Sequence, residues 1–243
     1  MDNHAIHARF ERWCSCSLCE QKYHGVVYCA LQWACWKTYV GRPETNWCRR
    51  AAMTQLGNGL YVAKKYEDAL PVQEAELASL QRVDASVAAM FCVQNNLAAT
   101  YGALGDLEKA LSMERDIHSG YLKFFGEEHK ETLIAAYNLA SHLHRQKRYN
   151  EIKALLLRMI PAARRTLGDG YDLTLLMRSI YANALCEDDV ATLDDVREAV
   201  EMLEETTRTA RRVLGGAHPR LGVFEESLQN ARTVLRARNP PSY

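Results

Sequence analysis

The chain has 243 residues, of which 48% are hydrophobic and 25% are charged, a composition that is typical of a folded globular protein. Its 30 Lys and Arg residues equal its 30 Asp and Glu residues in number, so no net positive charge attracts nucleic acid or an anionic membrane. We therefore expect partners of neither kind.

The sequence shows neither a membrane span nor an export signal. Its longest apolar run, residues 26–36, is interrupted by Gln32 and is shorter than the roughly 20 residues that a spanning helix needs. The first residues lack the basic region followed by an apolar region that marks a signal peptide. We therefore expect a cytoplasmic protein whose cysteines are reduced thiols or metal ligands rather than disulfides.

Cysteine and tryptophan are concentrated at the N-terminus. Six of the eight cysteines and all four tryptophans lie within the first 48 residues, so a boundary is expected near residue 48. We divide the chain into an incomplete cysteine-rich or disordered segment (residues 1–25), an apolar packing helix (residues 26–48) and a repeat region (residues 49–238).

A C-x-x-C motif in the first segment indicates a zinc site. Cys16 and Cys19 have the spacing at which a turn aims two thiolates at one Zn²⁺. Adding His24 and Cys29 gives C-x2-C-x4-H-x4-C, which resembles a zinc knuckle, although Glu20 stands where knuckles carry glycine. A Cys29 that is fixed inside the next helix would not be free to close a knuckle.

A second resemblance to a zinc site covers about 15 residues at the same place. It is to the last ligand pair of a RING-variant (RING-CH) zinc finger, as found in some ubiquitin ligases, and it is carried by Trp13, Cys16, Cys19, Tyr23, His24 and Gly25. The residues before Cys16 cannot supply the six earlier ligands of such a finger. The resemblance therefore implies a zinc-binding regulator or a ligase fragment, and the alternative is a set of thiols without metal.

The next segment predicts one helix. Residues 26–39 are apolar nearly all round, which is typical of a helix buried on several faces, and Gly41 and Pro43 end it. We expect this helix to cover the first repeat. Two alternatives remain open: self-association through this helix, and an aromatic ligand site formed by Trp33, Trp36 and Tyr39.

The rest of the chain repeats itself. Similar runs begin at Tyr66, Leu107 and Tyr149, and similar glycine-containing loops begin at residues 126, 168 and 215. The spacings are 41 or 42 residues, and the last loop comes after 47. Self-similarity in this range indicates stacked helix pairs. The five extra residues predict an enlarged turn at residues 186–192.

Small residues recur where helices must approach closely. One set is Gly57, Ala98, Ala140 and Ala182, and the other is Ala69, Ala110 and Ala199, with Ile152 as the exception. This pattern resembles tetratricopeptide (TPR) repeats. The phrases Asn95-Asn96-Leu97-Ala98 and Gly126-Glu127-Glu128-His129 are similar to those of kinesin light chains. The heptads of a light-chain coiled coil are absent from this sequence.

The resemblance implies an all-α fold, a right-handed α-α superhelix (solenoid) of TPR-like helix pairs. It also implies a scaffold or adaptor that binds an extended peptide or protein in a concave groove lined by the first helix of each pair. Groove positions follow from the small residues, and Asn side chains there can pair with a peptide backbone. The expected partner-binding residues are Thr54, Asn58, Asn95, Asn96, Asn138, Ser141, Arg145, Ser179 and Asn183.

No enzymatic activity and no cofactor other than possible zinc are expected. His118, Glu127, Glu128 and His129 cluster in the sequence, but around a loop that is a structural turn in this type of repeat. The sequence contains no phosphate-binding glycine loop, G-x-S-x-G or H-E-x-x-H motif. Pro161 interrupts a helical run and is expected to kink it or to end its regular hydrogen bonding.

Overall fold

A computed structural model describes residues 12–16, 18, 21–216 and 218–239, and these are almost entirely helical. The helices are α1 (Gly25–Tyr39), α2 (Trp47–Val62), α3 (Tyr66–Arg82), α4 (Val87–Leu104), α5 (Leu107–Phe125), α6 (Lys130–Arg145), α7 (Tyr149–Leu167), α8 (Asp172–Glu187), α9 (Leu193–Leu214) and α10 (Pro219–Arg238). Apart from these, the described residues include one isolated antiparallel bridge, between Ser15 and Lys22.

The chain forms two compact units, Met1–Met113 and Glu114–Tyr243, so α5 begins in the first unit and ends in the second. In the first unit, consecutive helices from α1 to α4 pack against one another, and α2 also contacts α4. In the second unit, consecutive helices from α6 to α10 do the same, and α6 contacts α8 as α8 contacts α10. The predicted helix pairs are α2/α3, α4/α5, α6/α7 and α8/α9, followed by α10, and the contacts within each unit confirm α2/α3, α6/α7 and α8/α9.

The connections between pairs are built alike. Each has four residues, and three of them begin with a glycine at positive φ, namely Gly126 at 81°, Gly168 at 92° and Gly215 at 82°. Two end with a histidine, His129 or His218, whose Nδ1 accepts a bond from a backbone N–H of the next helix at 3.3 Å. Glycine tolerates the left-handed turn and histidine caps the helix, so the Gly-x-x-His loop is a structural turn.

The fourth pair is longer for two reasons. Its helices are joined by the five residues 188–192, against three residues between α6 and α7, and α9 has 22 residues against 19 in α7. The expected single enlarged turn at residues 186–192 is therefore only partly correct. Residues 186 and 187 still belong to α8, and three of the five extra residues lengthen α9.

The small residues lie at the closest helix contacts, as expected. Ala98, Ala140 and Ala182 are fully buried, and so are Ala69, Ala110, Ala199 and the larger Ile152. At Gly57, a Cβ atom would lie 3.0 Å from Cγ of Gln73 on α3. The approach at Gly57 shows α3 packed closely against α2.

Helix α1 lies where a second helix would lie. Its first residue is 41 positions before that of α3, which is 41 positions before that of α5. It packs on α2 across Gly59, where a Cβ atom would be 3.3 Å from Cα of Cys29. The composition change near residue 48 therefore does not coincide with a break in packing.

The expectation that α1 is buried on several faces is wrong. Cys29, Gln32 and Cys35 are buried, but Val26 is 80% exposed and Trp33 is 42% exposed. Helix α2 and the segment around Trp13 cover this helix on one side, and its exposed apolar residues leave another face open. The three aromatic residues do not converge either, since Trp36 and Tyr39 pack around Cys35 and Ala52 whereas Trp33 is exposed.

Helix α7 continues through Pro161 from Tyr149 to Leu167, so the proline does not end it. The ring removes the hydrogen bond to the carbonyl group of Leu157. The Leu157 side chain is 67% exposed, which places this turn on the outer side of the helix, where water can reach the carbonyl oxygen.

Candidate partner-binding surface

Three predicted partner-binding residues of the first unit are half-buried on first helices. They are Asn58 on α2 and Asn95 and Asn96 on α4. The amide nitrogen of Asn95 donates to the carbonyl oxygen of Phe91 at 3.0 Å, which orients the side chain along its own helix. A half-buried amide of this kind is held in place and still reaches the surface.

Thr54 is turned toward its own second helix rather than toward a groove. Its hydroxyl contacts a carboxylate oxygen of Glu76 on α3 and lies 3.2 Å from the carbonyl oxygen of Arg50. Glu76 is 3% exposed, and burial raises its pKa to about 7. A buried carboxyl group needs hydrogen-bond partners, and Thr54 supplies one to Glu76 in the core.

In the second unit, Asn138, Ser141 and Arg145 follow one another along α6. Asn138 and Ser141 are half-buried and Arg145 is exposed. The hydroxyl of Ser141 donates to the carbonyl oxygen of Tyr137 at 2.9 Å. Asn138 stands 42 residues after Asn96, at the equivalent position of the next pair.

The two predicted residues on α8 are engaged by α10. Asn183 donates to the hydroxyl oxygen of Ser227 at 3.2 Å, and the hydroxyl of Ser179 lies 3.4 Å from the same oxygen. Ser179 is only 4% exposed, so its side chain is not available at the surface. The expectation that Ser179 contacts a partner is therefore not carried further.

The sequence analysis missed a row of buried polar residues. Gln32, Gln73 and Glu114 occupy the same position of three second-position helices, each 41 residues apart, and each is at most 1% exposed. Gln73 accepts a bond from Thr100 at 2.7 Å. One pair later, a carboxylate oxygen of Glu114 lies 3.7 Å from Nδ1 of His142. Aligning the second helices would have revealed this row.

Burial determines the charge of the Glu114 and His142 side chains. Burial raises the pKa of Glu114 to about 8. Burial also lowers the pKa of His142, against the effect of its bond to the carbonyl oxygen of Asn138. Near neutral pH both side chains are therefore largely uncharged, and the pair is a buried acid beside a neutral imidazole.

The residues weighed as an acid–histidine cluster have separate structural roles. Glu127 pairs with Arg158, and Glu128 pairs with Arg165 at 2.8 Å, so both loop carboxylates are tied to α7. His129 caps α6, as described above. His118 is half-buried, and its pKa is lowered first by burial and then by the nearby charge of Arg158.

The zinc hypothesis finds no support. Cys29 is buried inside α1, where helix packing fixes its thiol, and this position argues against the four-ligand knuckle. Cys16 is half-buried beside the Ser15–Lys22 bridge, and Cys19 lies outside the described residues. Within the described ranges, no three His, Cys, Asp or Glu side chains could hold a metal ion. The resemblance to a RING-CH remnant is likewise unsupported.

The tetratricopeptide-repeat family model matches residues 93–131 and 191–220. Each match ends two residues after a helix-capping histidine, His129 or His218. The chain contains tetratricopeptide repeats. A sequence search of the curated proteins gave no significant match. No described helix is both long and apolar enough to cross a bilayer.

Solved structures share this fold. Two crystal structures, the second of a single-residue variant, show a Podosopora anserina protein described as a kinesin light chain with nearly identical TPR-like repeats. Both are 21% identical to this chain. The first match covers 82% of this chain and 90% of the Podosopora anserina chain, with a TM-score of 0.65. The second covers 78% of this chain and 88% of the other, with a TM-score of 0.66. BtubC (BKLC) from P. vanneervenii is 13% identical and covers 80% of this chain and 83% of its own, with a TM-score of 0.61. The all-α repeat fold is thereby confirmed.

Proposed function

We propose that the chain is a protein-interaction scaffold whose first helices bind an extended segment of a partner protein. The observation that carries this proposal is the recurrence of half-buried asparagines at equivalent positions, with Asn96 on α4 and Asn138 on α6. Repeat folds of this type commonly use their first helices for binding.

The side chains suit recognition of a peptide backbone. An amide group donates and accepts hydrogen bonds, so one asparagine can pair with both an N–H and a C=O of an extended chain. In the first unit this set comprises Asn58, Asn95 and Asn96. In the second unit, Asn138 and Ser141 supply the same chemistry, and the exposed guanidinium of Arg145 suits a carboxylate of the partner.

Affinity capture followed by a measured affinity tests this proposal. The wild-type chain and the N96A/N138A variant are used to capture partners from cell lysate, and a peptide of the captured protein is titrated calorimetrically. We expect the variant to bind at least about tenfold more weakly, because two or more hydrogen bonds worth roughly 0.5–1.5 kcal/mol each are lost.

The matched control is N150A/N230A, which removes two exposed asparagines from α7 and α10. This variant should bind like the wild type. If N96A/N138A also kept the wild-type affinity for the peptide, the first helices would not form the binding surface and the proposal would fail.

A further inference from the structure

A second surface lies at the last two helices. A groove of about 880 Å³ runs between α9 and α10, and five of its lining residues are arginines: Arg208, Arg211, Arg212, Arg232 and Arg236. Among the described lining residues, two carry carboxylates, Glu204 and Glu225. The groove therefore concentrates positive charge in a chain whose formal net charge is zero.

Two of the five arginines are already paired across the groove. Arg232 lies 2.6 Å from Glu204, and Arg211 lies 2.5 Å from Glu225, so each pair joins α10 to α9. The other three, Arg208, Arg212 and Arg236, are exposed and have no ion pair within the part of the chain that the structure describes. These three guanidinium groups are available to an external carboxylate.

The α10 wall of the groove corresponds to a helix-docking face. Arg178 of α8 pairs with Glu205 of α9 at 2.5 Å, and the residue 47 positions later on α10 is Glu225. On the same face of α8, Ala182 and Leu185 are buried where that helix meets α9. Their equivalents on α10 are Gln229 and Arg232. The face of α10 that corresponds to the α9-binding face of α8 is therefore polar.

We propose that the groove between α9 and α10 binds an acidic α-helix of a partner protein. Arg208 and Arg212, which are two of the three available arginines, are four residues apart, or about 6 Å along a helix. Glutamates four residues apart on a partner helix have the same spacing. Each guanidinium can then take a carboxylate through two parallel hydrogen bonds.

The lining favours a protein helix over nucleic acid. None of the lining residues in the described part of the chain is aromatic, so the groove has no platform on which a base could stack. Leu228 adds an apolar contact on the α10 wall, which suits an amphipathic helix.

A labelled peptide tests the proposal on the full chain. The probe is a fluorescein-labelled, alanine-based helical peptide with Glu at every fourth position and a neighbouring Leu, and its match carries Gln in place of Glu. Anisotropy titration should show binding of the Glu peptide that weakens with salt, because the contacts are between exposed charges. The R208E/R212E variant, and R236E on the opposite wall, should each bind at least about tenfold more weakly through lost pairs and new repulsion.

Matched variants separate this site from general charge effects. K37E/K123E changes the net charge by the same amount as R208E/R212E, but at two exposed lysines outside the groove, and it should bind like the wild type. N96A/N138A should also leave this binding unchanged, which makes the site independent of the function proposed above. Equal affinity for the Glu and Gln peptides would overturn the proposal. So would an equal loss in K37E/K123E, or tighter binding of a single-stranded oligonucleotide than of the Glu peptide.

Discussion

At the scale of single residues, the buried polar row stabilises the fold less than the apolar residues that replace it later in the chain. Among the described residues, Gln73 Nε2 and Glu114 Oε2 are buried without a hydrogen-bond partner. The same position holds Leu156 and Leu203 in the next two second helices, both fully buried. A buried polar atom without a hydrogen-bond partner destabilises the folded state, whereas a buried leucine side chain stabilises it.

Glu114 should make the stability of the second unit depend on pH. Its pKa is about 8 in the folded chain against 4.5 ordinarily, so the folded state holds the proton more tightly. This contribution to stability is complete below pH 4.5 and is lost as the pH rises through about 8. Its full size is of the order of 3–5 kcal/mol.

Denaturant unfolding of E114Q and wild type from pH 5 to pH 9 measures this effect. The free energy of unfolding of the wild type should fall more steeply with pH than that of the variant, which has no carboxyl group at this position. E108Q, at an exposed glutamate of the same helix, should follow the wild type. Parallel curves for E114Q and wild type would show that Glu114 is not held protonated.

The repeat register predicts which face of a helix a residue occupies, but it does not predict what covers that face. It predicted groove positions at Asn58, Asn95 and Ser141, which are half-buried on first helices. It also placed Thr54 and Ser179 there, although one meets a buried carboxyl group of α3 and the other lies beneath α10. Such contacts depend on side chains from other helices, which a repeat period does not specify.

At the scale of helices, α1 shows how far composition can mislead. Its apolar residues predict burial on several faces, yet it packs as a second helix and keeps one face open. The exposed Val26 and Val27 align, 41 residues later, with the exposed Glu67 and Asp68 of α3. Composition favoured burial, but position in the repeat decided which face meets a neighbouring helix.

Two glycines on α2, one facing α1 and the other facing α3, should respond differently to substitution by alanine. A Cβ atom at Gly59 would lie 2.9 Å from Cγ of Gln32 and 3.3 Å from Cα of Cys29, so G59A must displace the backbone of α1. At Gly57 the nearest atom is Cγ of the Gln73 side chain, at 3.0 Å, which can shift. Alanine also favours the helix over glycine by about 1 kcal/mol at either position.

We therefore expect G59A to destabilise the first unit by about 1–3 kcal/mol and G57A to be within about 1 kcal/mol of the wild type. Tryptophan fluorescence during denaturant unfolding measures this region directly, because all four tryptophans lie in the first 48 residues. Equal midpoints for the two variants would mean that α1 is not held across Gly59.

At the scale of the whole molecule, the helix pairs and their order were predictable because a 41- or 42-residue period repeats the same small residues and loop glycines. The division into two compact units within α5 was not, since the period continues through it without a change. The total length of the fourth pair was predictable. How its five extra residues divide between the turn and α9 was not, because that depends on how α9 packs.

Stacked repeats contact mainly their neighbours, so damage at one end should stay local. Phe224 of α10 is fully buried against Leu175 of α8 and Ala210 of α9. Truncating such a phenylalanine costs about 3–5 kcal/mol, which is comparable with the stability of a whole domain. In F224A we expect amide hydrogen exchange to accelerate in α8, α9 and α10 and to stay unchanged in α2, α3 and α4.

Hydrogen exchange followed by mass spectrometry resolves these segments in one experiment. V223A is the matched control, because the neighbouring Val223 side chain is 50% exposed and its truncation removes little buried area. Release of α10 in F224A would also free Ser179 and Asn183 from Ser227, and protection should fall in that part of α8 first. Uniform acceleration along the chain would contradict this expectation and would mean that both units unfold in a single cooperative step.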